Sequence, residues 1–123
     1  MKATDSALIY KVCETADWRV AEAAGTYGGA KVDLTDGFIH FSTAGQLRET
    51  VRRYFAENSD LMLIEVKVQA LGARLKWEPS RGGDLFPHLY GDLPMAAVSR
   101  TWAFPLGADG ARQFPQEVEF PDG

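Results

Sequence analysis

The sequence predicts a single α+β domain built mainly on antiparallel strands. The chain has 123 residues and 46% apolar content, which suits one domain with its own core. Strand patterns occur near both ends of the chain, and two helical patterns lie in its first half. We therefore expect one domain over residues 1–123, with a core over about 8–105 and a tail over 106–123 that is either wrapped on the surface or partly disordered.

The first strand and helix are predicted from the opening of the chain. Residues 8–13, LIYKVC, have the apolar and β-branched composition of a strand. Cys13, the single cysteine, is predicted to be a buried small hydrophobe rather than a nucleophile. A helix is expected to begin near Thr15 or Asp17 and to end at Gly25, because glycine takes a positive φ at little cost. The following TYGGAKVDLTDG is rich in glycine and aspartate and predicts a loop.

The segment DGFIHFSTAGQ, residues 36–46, predicts a strand that leads into a helix. Strand alternation places Ile39 and Phe41 on one face. His40 and Ser42 then lie together on the other face. That second face is either part of a functional site or an ordinary half-polar sheet surface.

A capping box predicts where the second helix begins. Thr43 and Gln46 have the spacing at which a hydroxyl and an amide each bond an unpaired backbone N–H. The helix should extend over about 44–55, because apolar residues follow at helical spacing. These residues are Leu47, Val51, Tyr54 and Phe55.

The second half of the chain is predicted to be strands and one long loop. Residues 61–68, LMLIEVKV, alternate as a strand whose polar face carries Glu65. LGARLKWEP predicts a second strand, which follows in a hairpin or after a sharp turn and ends at Pro79. Residues 80–94 are rich in glycine and proline and predict a loop, and a last strand is expected over 97–104.

The stretch KWEPSRGGDLFPHLYG, residues 76–91, collects residue types that bind ligands. These are Trp77, Glu78, Arg81, Asp84, His88 and Tyr90. The glycines beside Arg81 let the backbone approach a ligand, and successive N–H groups there could hold an anion. The structural alternative makes His88 a loop-closing residue and Glu78 a surface ion-pair partner of Arg81. Because His40 and His88 each precede a hydroxyl by two positions, we predict that they share one site.

Composition and motifs exclude several classes of function. The net charge is −4 and no run of Lys or Arg occurs, so duplex nucleic acid is not an expected partner. A small anionic ligand remains compatible with the sequence, since a few arginines in a cleft suffice. Metal-ligand spacings, phosphate loops, Rossmann glycines and esterase elbows do not occur, and we expect no metal. Without a signal peptide or membrane-spanning run, the expected location is the cytoplasm.

Several motifs resemble a small bacterial and plant family, domain of unknown function 952. They are IYKV, GTYGGAKVDLTDGFIHFSTAGQ, LKWEPSRGGDLFPHLYGDLP and the late VSR, and they span about Ile9 to Phe104. The resemblance implies an ADP-ribosyltransferase-like fold, in which NAD binds in a cleft between two antiparallel sheets. FIHFS is similar to a strand of RNA 2′-phosphotransferases, which implies that His40 and Ser42 face the nicotinamide end of that cleft.

The resemblance implies NAD-dependent ADP-ribosyl or phosphoryl transfer, with NAD as cofactor. The catalytic candidates are His40 and His88. The candidates for binding a nucleotide-like ligand are Tyr10, Ser42, Trp77, Glu78, Arg81 and Tyr90. Tyr10-Lys11-Val12 departs from the His-Gly-Thr or arginine of those enzymes, and their glutamate is unassigned among Glu78, Glu117 and Glu119. The alternatives are a non-catalytic module for a nucleotide-like or small anionic ligand, and a protein-interaction domain whose 80–94 loop fills the cleft.

Overall fold

A computed structural model of the chain describes residues 7–120, apart from the Arg81 side chain, and shows nine strands and three α-helices. The strands are β1 Leu8–Glu14, β2 Thr26–Tyr27, β3 Ile39–His40, β4 Ser42–Thr43, β5 Leu61–Lys67, β6 Leu75–Pro79, β7 Leu85–Leu89, β8 Leu93–Pro94 and β9 Val98–Ala103. The helices are α1 Thr15–Ala24, α2 Lys31–Asp36 and α3 Ala44–Tyr54. No helix within the described residues is long and apolar enough to cross a membrane.

The strands form two larger sheets and one two-stranded pair. The four-stranded sheet has the order β4-β1-β5-β9, and the three-stranded sheet has the order β3-β7-β6. Strands β2 and β8 pair separately. Every pairing among these strands is antiparallel, which confirms the predicted α+β class with mainly antiparallel sheets.

Strand β1 lies inside the four-stranded sheet and separates two hydrophobic cores. Cys13 points into the core that contains Trp18 of α1, and Val12 points into the core that contains Leu47 of α3. Burying a side chain such as Leu47 contributes about 2 kcal/mol to folding. Burial raises the pKa of the Cys13 thiol to about 12, so the residue is an uncharged, buried small side chain, as predicted. Gly25 ends α1 at φ 91°, also as predicted.

The predicted loop after Gly25 was wrong, because it contains β2 and a third helix, α2. The Asp33 carboxylate accepts the Ala30 backbone N–H at 2.7 Å and so stabilises the first turn of α2. Gly37 ends this helix at φ 89°, in the left-handed region that glycine enters readily. The first half of the chain therefore has three helices, and not the two predicted.

The predicted strand within residues 36–46 is divided between the two larger sheets. Strand β3 pairs with β7, and β4 pairs with β1, so the chain crosses between the sheets at Phe41. Ile39 and Phe41 are buried, as alternation predicted. This crossing places His40 and Ser42 where the two sheets separate.

Helix α3 begins as the capping box predicted. The Thr43 hydroxyl accepts the Gln46 N–H at 3.2 Å, and the Gln46 side-chain oxygen accepts the Thr43 N–H at 3.0 Å. Leu47 and Val51 are buried on the core face. Tyr54, which helical spacing predicts among the apolar residues of this helix, is exposed.

The predictions for β6 and for residues 80–94 also need correction. Strand β6 pairs with β7 rather than returning along β5, and the predicted loop contains β7 and β8. Pro87 is tolerated inside β7 because its carbonyl accepts the Phe41 N–H at 3.0 Å, on the side where β3 has already ended. The N–H that proline lacks would face that same side, so strand pairing does not need it.

The tail packs on the core beside α3. Val118 is buried, and the Phe114 ring meets the Phe104 ring with centroids 5.1 Å apart. The Arg48 guanidinium lies 3.8 Å from the centroid of the Phe120 ring. Residues 106–120 therefore cover this side of the molecule, while 121–123 lie outside the described residues.

Candidate functional site

A cavity of about 330 Å³ opens where the two larger sheets separate. Its walls come from β1, α2, the crossing at Phe41, α3 and β7. Polar lining residues are Lys11, Asp36, His40, Ser42, Thr50, Ser80 and His88. Aromatic lining residues are Tyr10, Phe41, Tyr54, Phe55 and Phe86. We call this space the central cavity.

The two histidines are neighbours across the β3–β7 pair. His40 and His88 are directly paired in the strand register, and their ring centroids lie 5.5 Å apart in an edge-on arrangement. Both line the central cavity. The structure thus brings together residues 48 positions apart in sequence, and their joint action in one reaction stays a prediction.

His40 lies between two aspartates of α2. Its Nδ1 is 2.6 Å from Asp33 Oδ1, and its Nε2 is 2.9 Å from Asp36 Oδ2. An ionised carboxylate only accepts hydrogen bonds, so the ring bonds both partners at once only as an imidazolium. The His40 side chain is 32% exposed, which leaves it accessible to a molecule in the cavity.

Asp33 is the buried anchor of this arrangement. Besides the His40 ring, its carboxylate accepts hydrogen bonds from the Lys11 ammonium, the Ala30 N–H and the His40 N–H. Burial alone would raise the pKa of Asp33, but the bonds from His40 and Lys11 and the Lys11 charge outweigh it and lower the pKa to about 2. The sequence predicts a loop at Asp33, although an acidic residue in a first turn and a glycine such as Gly37 after the last turn are helix-end signals.

The Glu78 carboxylate of β6 holds the His88 ring. Its Nδ1 lies 2.7 Å from Glu78 Oε1, and the Tyr90 hydroxyl donates to the same carboxylate at 2.9 Å. These hydrogen bonds, that from His88 being the stronger influence, hold the pKa of Glu78 below its usual range. Neither Glu78 nor Tyr90 is among the described residues that line the central cavity. Glu78 and Tyr90 therefore orient the His88 ring, whose side chain is 5% exposed, from outside the central cavity.

Phe38 packs against both imidazoles. Its ring stacks on His88 with centroids 4.1 Å apart, and it lies 4.6 Å from the His40 ring. Sequence reasoning gave Phe38 no role, although it lies two residues before His40 and so on the same strand face. This contact restricts the orientation of both rings.

Three other predicted site residues have different outcomes. Ser42 lines the central cavity, with its Oγ 2.9 Å from the Thr50 hydroxyl. The Tyr10 ring also lines it, but the hydroxyl donates to Glu65 at 2.9 Å. Trp77 is 39% exposed and is not among the described lining residues.

The glycine turn provides little support for the predicted anion site. The Ser80 N–H donates to the Asp84 carbonyl at 2.9 Å, and the Gly83 N–H donates to the Ser80 carbonyl at 2.8 Å. These two donors are therefore used within the turn itself. The Arg81 side chain, the predicted phosphate ligand, lies outside the described part of the chain.

Glu65, which the strand pattern places on the polar face of β5, is buried. Its carboxylate accepts hydrogen bonds from the Tyr10 hydroxyl and from Arg100 Nε, both at 2.9 Å. Burial acts first to raise the pKa of Glu65, but the bonds from Arg100 and Tyr10 outweigh it and lower the pKa. A strand pattern of alternating residues does not reveal such a partner, because Arg100 is 35 residues away.

A family model for proteins of unknown function, DUF952, matches residues 12–101. The chain belongs to the DUF952 family. Its fold is similar to the crystal structure of protein CC0527 from Caulobacter crescentus, with 46% identity and a TM-score of 0.81 over 86% of this chain and 93% of that one.

Two further structures of CC0527 are also similar. A double-methionine variant has 44% identity and a TM-score of 0.81, with 86% of this chain and 93% of that one covered. The solution NMR structure has 47% identity and a TM-score of 0.75, with 84% and 89% covered. No curated protein matches this DUF952 chain in sequence. Family membership therefore supports the fold and assigns no chemistry to the site.

Proposed function

We propose that the central cavity binds a nucleotide-like ligand, NAD being the first candidate, and that this DUF952 protein catalyses NAD-dependent transfer of an ADP-ribosyl or phosphoryl group. One observation carries the proposal: two histidines, each oriented by a carboxylate, lie side by side in one cavity. Paired imidazoles can divide proton donation and acceptance near neutral pH. The separation of two antiparallel sheets around the cavity is compatible with an ADP-ribosyltransferase-like fold.

The size and lining of the cavity suit part of a dinucleotide. About 330 Å³ is near the lower end of the ligand-pocket range of about 300–1,000 Å³, enough for a ring with its sugar. Phe41 and Phe86 offer aromatic surface to a planar ring. The hydroxyls of Ser42 and Ser80 lie in the same lining and can bond sugar hydroxyls.

For ADP-ribosyl transfer, the bond from ribose C1′ to the nicotinamide nitrogen breaks and its electron pair goes to that nitrogen. An acceptor oxygen bonds C1′, and the proton of that oxygen passes to a base. His88 fits the base, because its Nδ1 is held by Glu78 and Nε2 is the nitrogen left to accept a proton. His40 fits the orienting or proton-donating partner, since carboxylates face both of its nitrogens.

The second candidate is a binding module for the same ligand class without turnover. It is favoured by the position of the three glutamates considered for catalysis. Glu78 bonds His88 and Tyr90, while Glu117 and Glu119 line a different cavity beside Arg100. The third alternative, a cleft filled by residues 80–94, has less support, because residues 85–89 form a wall strand beside open space.

A ligand screen by thermal shift tests the proposal, with NAD, ADP-ribose and phosphorylated nucleotides as probes. A ligand at 100 times its dissociation constant stabilises the protein by about 2.7 kcal/mol. His40→Ala, His88→Ala and the double variant should show coupled losses of binding, since contacting groups are non-additive. Glu22→Gln, at an exposed position of α1, is the control. Absence of a shift with every nucleotide would overturn the proposal, and additive losses would contradict a shared site.

A further inference from the structure

We infer that Asp36 is the carboxylate that contacts the ligand in the central cavity, and that it recognises positive charge on a bound nucleotide. This inference rests on the proposed function and deepens it, because it assigns the acidic group that none of the three glutamates provides. Asp36 lies in the TYGGAKVDLTDG segment, which predicts a loop, so the sequence pattern gives it no role.

The two aspartates of α2 contact one imidazole from opposite sides but differ in availability. Asp33 is 1% exposed, and its oxygens accept from Lys11, Ala30 and His40. Asp36 is 44% exposed, lines the cavity, and lies 2.9 Å from His40 Nε2. A carboxylate whose oxygens are occupied in the interior cannot serve a ligand, whereas Asp36 has accessible oxygen surface.

The other acidic residues near the site, Glu78 and Glu65, lie outside the described lining of the central cavity and bond protein side chains. Glu78 lies behind His88, outside the described cavity lining. Glu65 is buried with Tyr10 and Arg100. Asp36 is therefore the only carboxylate among the described residues that line the central cavity.

Asp36 contributes little to the stability of α2 or of the fold. It is the last residue of α2, where a negative charge opposes the helix dipole. Its pair with His40 joins two partly exposed groups, and such pairs contribute little to folding. Removing the charge should therefore change ligand recognition much more than stability.

The charge of NAD explains what Asp36 would recognise. The nicotinamide ring of NAD is a cation before reaction, and the positive charge spreads onto the ribose as the bond to nicotinamide breaks. A carboxylate at the cavity wall stabilises both distributions. ADP-ribose lacks the cationic ring, so it offers a matched probe that tests the charge separately from the rest of the nucleotide.

The test compares Asp36→Asn with wild type for the binding of NAD and ADP-ribose by calorimetry. We expect NAD affinity to fall about tenfold, as for loss of a charge-assisted contact, while ADP-ribose affinity changes less than about twofold. Asp36→Glu should recover part of the NAD affinity. Asp17→Asn, an exposed aspartate on α1, serves as the control and should bind both probes as wild type does.

The outcomes separate this inference from the function on which it rests. If wild type binds neither probe, the proposed function fails and the inference with it. If wild type binds both and Asp36→Asn binds NAD equally well, the inference alone is overturned. Equal losses for NAD and ADP-ribose would also overturn it, because charge recognition predicts a selective loss. Thermal unfolding of each variant, compared with wild type, shows that binding losses are not losses of fold.

Discussion

Two buried carboxylates on opposite sides of β1 show how similar chemistry can serve different purposes. Tyr10 and Lys11 are adjacent, and each reaches a buried carboxylate, Glu65 and Asp33 respectively. The single hydroxyl of Tyr10 donates its proton to Glu65, so it has no proton left to donate to a ligand. The other partner of Asp33, His40, has a second nitrogen that reaches the cavity wall.

Burial and charge alone therefore do not identify a site in this protein. Both carboxylates are about 1% exposed, and each accepts hydrogen bonds from elements distant in sequence. What distinguishes Asp33 is its partner His40, whose side chain is 32% exposed and whose second nitrogen bonds Asp36, a carboxylate of the cavity lining. Glu65 stabilises the sheet, whereas Asp33 both stabilises the fold and positions a ring that a ligand can contact.

The largest effect is expected for Asp33→Asn. The change leaves the Lys11 ammonium buried without an ionised partner, which costs about 3–5 kcal/mol of unfolding free energy. Glu65→Gln should cost less, about 1–2 kcal/mol, because Arg100 is 44% exposed and can be solvated. Urea unfolding of both variants at neutral pH measures the difference. A cost for Glu65→Gln equal to that for Asp33→Asn would remove the distinction between the two carboxylates.

The next largest effect is the loss of stability at low pH that protonation of Asp33 causes. The pKa of Asp33 is lowered from 3.8 to about 2 in the folded state, so its contribution is complete above about pH 4 and is lost as the pH falls to about 2. The lowered pKa corresponds to about 2 kcal/mol of unfolding free energy. NMR titration of the Asp33 carboxyl carbon locates its pKa, and urea unfolding at stepwise pH measures the loss. A carboxyl that titrates near its ordinary value would show that Lys11 and His40 do not stabilise its charge.

Local patterns predicted most of the long elements. Helix α3 follows from Thr43, Gln46 and apolar spacing, and β5 follows from alternation, because the determinants of both lie within about a dozen residues. Pairing between distant strands is different. The sequence has no local feature that sends β6 to β7 instead of β5, and Pro87 argues against a strand that tertiary context allows.

The candidate site was predictable only in part, for a related reason. His40, Ser42 and His88 could be selected from residue type and strand parity, and all three line the central cavity. Asp33 and Asp36 were missed, since a six-residue helix depends on contacts with β1 and β3 rather than on its own propensity. Isolated helices that short are not stable, so a glycine-rich and aspartate-rich segment reads as a loop.

Tyr10→Phe tests the purely structural role of the hydrogen bond from Tyr10 to Glu65. It removes the hydroxyl that donates to buried Glu65 but keeps the ring that lines the central cavity. Loss of a hydrogen bond to a charged group should cost about 1.5 kcal/mol of unfolding free energy. Ligand affinity should be unchanged, because the ring remains in place. Chemical unfolding measures the first quantity and calorimetry with the best nucleotide of the screen the second. A stable variant with lost binding would show that the Tyr10 hydroxyl, and not only its ring, contributes to ligand binding.

The smallest effect is expected for Thr43→Ala, which tests a purely local contact beside the site. The Thr43 hydroxyl caps the first turn of α3, the helix that carries Thr50 and Tyr54 into the cavity wall. Loss of this cap should lower the unfolding free energy by about 1 kcal/mol, and Thr43→Ser should retain most of it because serine caps equally well. Nucleotide affinity should stay at the wild-type level, because α3 is also held by buried Leu47 and Val51. Urea unfolding and calorimetry on both variants provide the two measurements. If Thr43→Ala weakened nucleotide binding while Thr43→Ser did not, the capped turn would itself be part of the ligand site. A hydrogen bond of the fold would then also support binding in α3, which is not expected of the bonds to Glu65.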